Sequence, residues 1–133
     1  MKITKKLTLK RVKARAWRAF SLYIRKNDKN TIDEIGRCYT CDKVIPWKEL
    51  HAGHGIGGRN NQILFDERIV RPQCVGCNIF GRGQYQIFTR KLIGELGLEV
   101  YDQIIQQAHQ AKKYSISDYL DLEEKYNRLQ TAT

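Results

Sequence analysis

CYTC at 38–41, HAGH at 51–54 and CVGCN at 74–78 are the stretches on which the reading of this chain turns. Two Cys-x-x-Cys pairs bracket a histidine pair, and together they use all four cysteines of the 133 residues. Two residues between thiolates let the backbone turn around one ion. Two such pairs with some thirty residues between them have the spacing of a four-thiolate zinc site. A complete shell of Cys38, Cys41, Cys74 and Cys77 leaves no open coordination position, so the expected Zn2+ is structural. A thioredoxin-like redox role needs one Cys-x-x-Cys beside a βαβ pattern, and this chain has two pairs and no such pattern.

Between the pairs, His51 and His54 lie close to Gly53, Gly55, Gly57 and Gly58, where missing side chains let a substrate approach. A histidine can serve as general base toward water at neutral pH. A second histidine, an amide oxygen or a carboxylate can hold a divalent metal that stabilises phosphoryl charge. The stretch GIGGRNN at 55–61 reads as a glycine-rich loop carrying Arg59, Asn60 and Asn61. It is not a P-loop, because the Gly-Lys-Ser/Thr ending is missing. His109 has no comparable company and reads as a surface or packing residue.

Outward from this centre the chain is basic. Lysine and arginine number 24 against 14 acidic residues, a formal net charge of +10, which points to a polyanion and first of all to nucleic acid. Lys2, Lys5, Lys6, Lys10, Arg11, Lys13, Arg15 and Arg18 all precede the first acidic residue, Asp28. Leu9, Val12, Ala16, Phe20 and Tyr23 recur at spacings of three and four, which predicts a helix over 9–26 with Thr8 as N-cap. Its basic face is expected to contact phosphates. Residues 27–37 read as a loop. Val44, Ile45, Trp47 and Leu50 suggest a short strand or turn leading to His51. The apolar runs 63–65 and 69–70 are candidates for a second strand, and Pro72 keeps the following chain extended.

After Gly81, Arg82 and Gly83 a helix is predicted over 84–96, stopped by Gly97. A second is predicted over 99–112. Ser115 and Asp118 form a capping box for a third over 116–129. There Tyr119, Leu122, Tyr126 and Leu129 make a stripe read as intramolecular core, with a homodimer seam as the alternative. No apolar run approaches the roughly 18 residues of a membrane span. The basic N-terminus lacks a signal-peptide apolar region. A cytoplasmic protein with no membrane partner is expected, where cysteine pairs more often bind metal than form disulfides.

Cys-x-x-Cys, then Gly-His, then Cys-x-x-Cys-Asn resembles the layout of zinc-stapled HNH, or ββα-metal, nucleases. More narrowly, the chain resembles the NinG/Rap family of phage recombination endonucleases. The matching stretches are FSLYIRKND at 20–28, CYTC, HAGH, FDER at 65–68, QCVGCN at 73–78, Gly83 and LIGELG at 92–97. The resemblance implies an α+β fold. A small HNH-like core over 36–96, stapled by the four-cysteine zinc site, is flanked by a basic N-terminal helix within 1–30 and by C-terminal helices over 97–133, all in one domain.

The resemblance also implies roles. His54 takes the general-base position and Asn78 the late metal-ligand position. The residue before the base is usually Asp or His and here is Gly53. His51 is the replacement ligand, with Asp66 and Glu67 as competitors. The middle Asn of the motif falls at Ile69, where Asn60 or Asn61 would compensate. The catalytic metal is Mg2+ or Mn2+, and Arg59 or Arg82 is placed to hold a neighbouring phosphate. The substrate implied is branched or Holliday-junction DNA, cut to 5′-phosphate and 3′-hydroxyl ends in the host cytoplasm if the chain is phage-encoded. The rival readings are a site-specific or non-specific HNH nuclease and a zinc-stapled DNA-binding protein without catalysis. An RNA-binding sheet with stacking aromatics is not visible.

Overall fold

The computed structural model describes residues 6–57, 61–110 and 112–131. Lys5, Arg59 and Asn60 lie outside the described residues, as does the side chain of Asn61. The first helix, α1 (Leu9–Lys26), starts where expected, with the Thr8 hydroxyl accepting the Arg11 N–H at 3.2 Å. Its buried face carries Val12, Ala16, Ala19 and Phe20. Leu9 departs from the expected stripe: it is 53% exposed, because the core does not extend to the first turn.

The stretch read as a loop ends in a strand. β1 (Ile35–Arg37) pairs antiparallel with β2 (Val44–Pro46), in register Gly36 to Ile45. The turn between them carries Cys38 and Cys41, closed by the Cys38 N–H to the Lys43 carbonyl at 2.8 Å. β3 (His51–His54) pairs antiparallel with β4 (Val70–Gln73), His51 opposite Gln73 and His54 opposite Val70. Between these strands lies a single helical turn, α2 (Asn61–Leu64), and a tighter turn over Glu67–Ile69. The expected second strand at 63–65 is therefore wrong. Ile63, Leu64 and Phe65 are buried, and a short apolar run does not distinguish strand from buried helix by its spacing.

Beyond β4 the chain enters a one-turn π-helical segment, Gly76–Phe80. The remaining helices are α3 (Tyr85–Leu96), α4 (Leu98–Ala108) and α5 (Ile116–Thr131). Gly97 ends α3 with a φ of 86°, which glycine adopts without Cβ strain. The capping box forms: Ser115 N–H donates to Asp118 Oδ2 at 2.8 Å, and Asp118 N–H to Ser115 Oγ at 3.1 Å. α4 stops short of the expected Lys112.

α5 lies along α1. The Phe20 and Tyr126 rings meet edge to face at 4.9 Å, and Tyr119 and Tyr126 are buried in the same cluster as Phe65, Phe88 and Ile104. The α5 stripe thus packs into the core within the chain, Tyr119 and Tyr126 buried and Leu122 and Leu129 partly so. A second, smaller cluster gathers Cys38, Leu50, Cys74 and Cys77. Among the described residues no helix is long and apolar enough to cross a membrane.

Gly53 is explained by packing. A Cβ there would overlap Oε1 of Gln73, whose Nε2 is fixed by bonds to Thr40 Oγ1 at 3.1 Å and the Gly83 carbonyl at 2.9 Å. Gln73 is fully buried and cannot swing aside. Gly53→Ala is expected to destabilise the fold by about 1–3 kcal/mol, the usual cost of overpacking. Urea unfolding measures it; an unchanged midpoint would show that Gln73 yields.

Candidate metal centre and histidine cleft

The four cysteine sulfurs lie within 4.8 Å of one another, and Cys41 Sγ and Cys74 Sγ are 3.7 Å apart. Four thiolates at Zn–S distances of about 2.3 Å in a tetrahedron stand about 3.8 Å apart. The centre therefore fits one Zn2+, and the cysteine cluster could bind it. The Cys77 N–H points at Cys74 Sγ at 3.4 Å, and Thr40 Oγ1 lies 3.5 Å from Cys38 Sγ. Burial opposes a charge on Cys38, but backbone N–H groups and the Thr40 hydroxyl outweigh it and bring its thiol down to about 6. Burial pushes Cys77 up to about 12, with the neighbouring sulfurs adding to the rise.

The cysteine cluster brings the β1–β2 turn together with the segment after β4. This fixes Asn78, the residue after Cys77, against β3. Asn78 Nδ2–H donates to His51 Nδ1 at 3.1 Å. His54 Nε2–H donates to the Leu64 carbonyl at 3.0 Å, and its ring stacks on Trp17 with centroids 5.3 Å apart at 16°. A carbonyl oxygen only accepts, so the Leu64 bond puts a ring proton on Nε2.

His51, His54 and Asn78 open into one cleft of about 510 Å³. Arg25, Lys48, Trp17 and Tyr85 share its wall, and no carboxylate of the described residues does. Sequence reasoning missed Trp17, Lys48 and, above all, Arg25. Its guanidinium donates to Ser21 O at 3.1 Å and to the Lys48 and Leu50 carbonyls at 3.3 and 3.2 Å. Burial lowers its pKa from the ordinary arginine value, though only within the range where it stays charged. The available signal was the spacing of four along α1: Trp17, Ser21 and Arg25 form one ridge, and all three reach the cleft.

Other expected site residues are not brought there. Asp66 accepts two bonds from the Arg68 guanidinium, at 2.9 and 2.6 Å, and caps the following turn. Glu67 accepts the Tyr126 hydroxyl at 3.1 Å. Ile69 is fully buried in the core, its carbonyl taken by the Gly55 N–H at 2.7 Å. Arg82 is exposed on the turn after the π segment rather than in the cleft wall. Lys6, ahead of α1, and Lys10, Arg11 and Arg18 on it are exposed, and Lys13 is half-buried. Arg15 forms a bidentate pair with Glu123 of α5, at 3.0 and 2.7 Å, and so joins two helices.

Fold and site together define a small α+β protein with a four-cysteine centre that could hold zinc, beside a cationic cleft. The family model described as Bacteriophage Lambda NinG protein matches residues 2–132, and the chain belongs to that family. It is similar to Protein ninG of Escherichia phage 933W and of Enterobacteria phage VT2-Sa, 26% identical to each over 114 residues. Those matches cover 85% of this chain and 53% of each relative, so the chain spans about half the length of the curated relatives it matches. No solved structure matches it.

Proposed function

We propose that this protein is a metal-dependent endodeoxyribonuclease that hydrolyses phosphodiester bonds in branched, recombination-intermediate DNA, with Zn2+ held by its four cysteines. The observation that carries the reading is the convergence of His51, His54 and Asn78 in a cleft whose described charged side chains, Arg25 and Lys48, are cationic. The order of parts supports it: an antiparallel pair with His54 on its first strand, then a helical turn bearing Asn78, is the order expected of a ββα-metal core.

His54 Nδ1 takes the proton of the attacking water, and Trp17 and the Leu64 carbonyl hold the imidazole in that tautomer. The carbonyl thus does the orienting work that Ile69 cannot. His51 and Asn78 would hold the divalent cation. Their bonded nitrogens are 3.1 Å apart, close to the roughly 3 Å between adjacent ligands of one small cation, and turning the Asn78 amide presents its oxygen. A bound Mg2+ or Mn2+ supplies neutralisation of the charge on the phosphate and the leaving 3′ oxygen. Imidazole and amide donors without a carboxylate suit Mn2+ better than Mg2+. Arg25 and Lys48 bind the flanking phosphate oxygens.

A second reading, DNA binding without catalysis, is favoured by the missing carboxylate. Cleavage of a labelled four-way junction and of a linear duplex of the same sequence, with Mn2+, Mg2+ or EDTA, separates the two. The nuclease reading expects metal-dependent nicking, faster with Mn2+ and selective for the junction. Tight binding of both substrates with no cutting under any condition would establish the second reading.

A further inference from the structure

We infer that Phe80, with Ile79 beside it, is a base-stacking edge that recognises an unstacked nucleobase where DNA strands branch or separate. The inference rests on the DNA reading above and names the substrate feature that the cleft would select.

Phe80 is 81% exposed and Ile79 56%, with Val75 at 39% on the same segment. Large apolar side chains gathered in water at one place mark an interaction surface. Their support is rigid. Gly81 N–H reaches back to the Gly76 carbonyl at 2.7 Å, and Gly83 N–H to the Cys77 carbonyl at 2.9 Å. Arg82, Gly83 and Gln84 follow with φ of 55°, 92° and 50°, three left-handed residues in a row. For Arg82 and Gln84 that conformation is strained and persists only where surroundings enforce it. Here the Gln73 amide grips the Gly83 carbonyl, and Gln84 O accepts the Phe88 N–H at 3.0 Å at the start of α3. Phe80 thus stands exposed immediately before a tightly held turn.

The surroundings choose the occupant. Ile79 lines the cleft that holds His51, Asn78, Arg25 and Lys48, and exposed Arg82 follows Phe80 by two positions. A second copy of the chain, itself carrying a formal charge of +10, is repelled from such a place. A nucleic acid offers what both parts need, anionic backbone and flat apolar faces. In an intact duplex those faces are covered by their neighbours. They open at a branch point or in a single strand, where an aromatic side chain stacks on them.

The test uses the 133-residue protein without added Mg2+ or Mn2+. Its partners are a four-way junction and a linear duplex of the same sequence, each with 2-aminopurine at the base flanking the branch position. The wild type is expected to prefer the junction and to change the probe's fluorescence. Phe80→Ala is expected to lower the junction-over-duplex affinity ratio roughly tenfold and to abolish the fluorescence change. Phe80→Trp is expected to keep both. Phe80→Leu retains apolar bulk without a flat ring, and is expected to lose the signal at an unchanged melting temperature. If wild type binds DNA but Phe80→Ala and Phe80→Leu keep ratio and signal, this inference is overturned while the nuclease reading stands. A wild type that binds neither substrate overturns both. If Phe80→Ala instead dissociates a dimer seen by sedimentation, with DNA affinities unchanged, the edge belongs to a second copy and the inference fails.

Discussion

Replacing Cys74 with serine is expected to unfold the centre of the molecule. Structural Zn2+ sites couple roughly 10–16 kcal/mol of binding to folding, against about 5–15 kcal/mol of net stability for a whole domain. Loss of one of four thiolates therefore removes stabilisation on the scale of the entire fold. The effect has an address. The cysteines form a cluster of their own with Leu50, separate from the core that joins α1 to α5. Amide exchange in β1, β2 and the π segment should accelerate first, with α1 and α5 following. Zinc content and a thermal melt accompany the exchange measurement. A serine variant that melts with the wild type and retains its protection would mean that the four sulfurs are not a folding centre.

On the proposed nuclease reading, His54→Ala is expected to lower the cleavage rate by about 10²- to 10⁴-fold, the range associated with one positioned general base. Because His54 is buried against Trp17, alanine also leaves a hole, so His54→Gln is the better control. Glutamine can still donate to the Leu64 carbonyl but has no basic nitrogen. Both variants should bind the junction with near wild-type affinity, since Arg25 and Lys48 are untouched. Single-turnover cleavage beside binding anisotropy decides the matter. Cutting at full rate by His54→Gln would remove His54 from the base role.

Local signals were readable in advance. Thr8 opening α1, the Ser115–Asp118 box opening α5 and Gly97 closing α3 each act within a few residues, and each appears in the structure. The cysteine spacing was sufficient to foresee the sulfur cluster for the same reason. What could not be read is whatever depends on a distant partner. The Arg15 ion pair could not be foreseen because Glu123 lies 108 positions away. Asp66 is a different case: Arg68 stands only two positions on, and the sequence shows that proximity but not that the guanidinium folds back onto the carboxylate. The cleft owes its positive wall to Arg25, which sits there because carbonyls of Lys48 and Leu50 receive it. Gly53 read as a defect in a motif and is instead the partner of a buried glutamine twenty positions on.

The pairing of α1 with α5 also sets a timetable. A ribosome adding about 5–20 residues per second takes roughly 5–20 s to cover the 108 positions between Arg15 and Glu123. Through that interval the apolar ridge of Val12, Ala16 and Phe20 has been made and its α5 cover has not. A nascent helix that is basic on one side and greasy on the other must wait, and its correct closure depends on a helix synthesised about a hundred positions later.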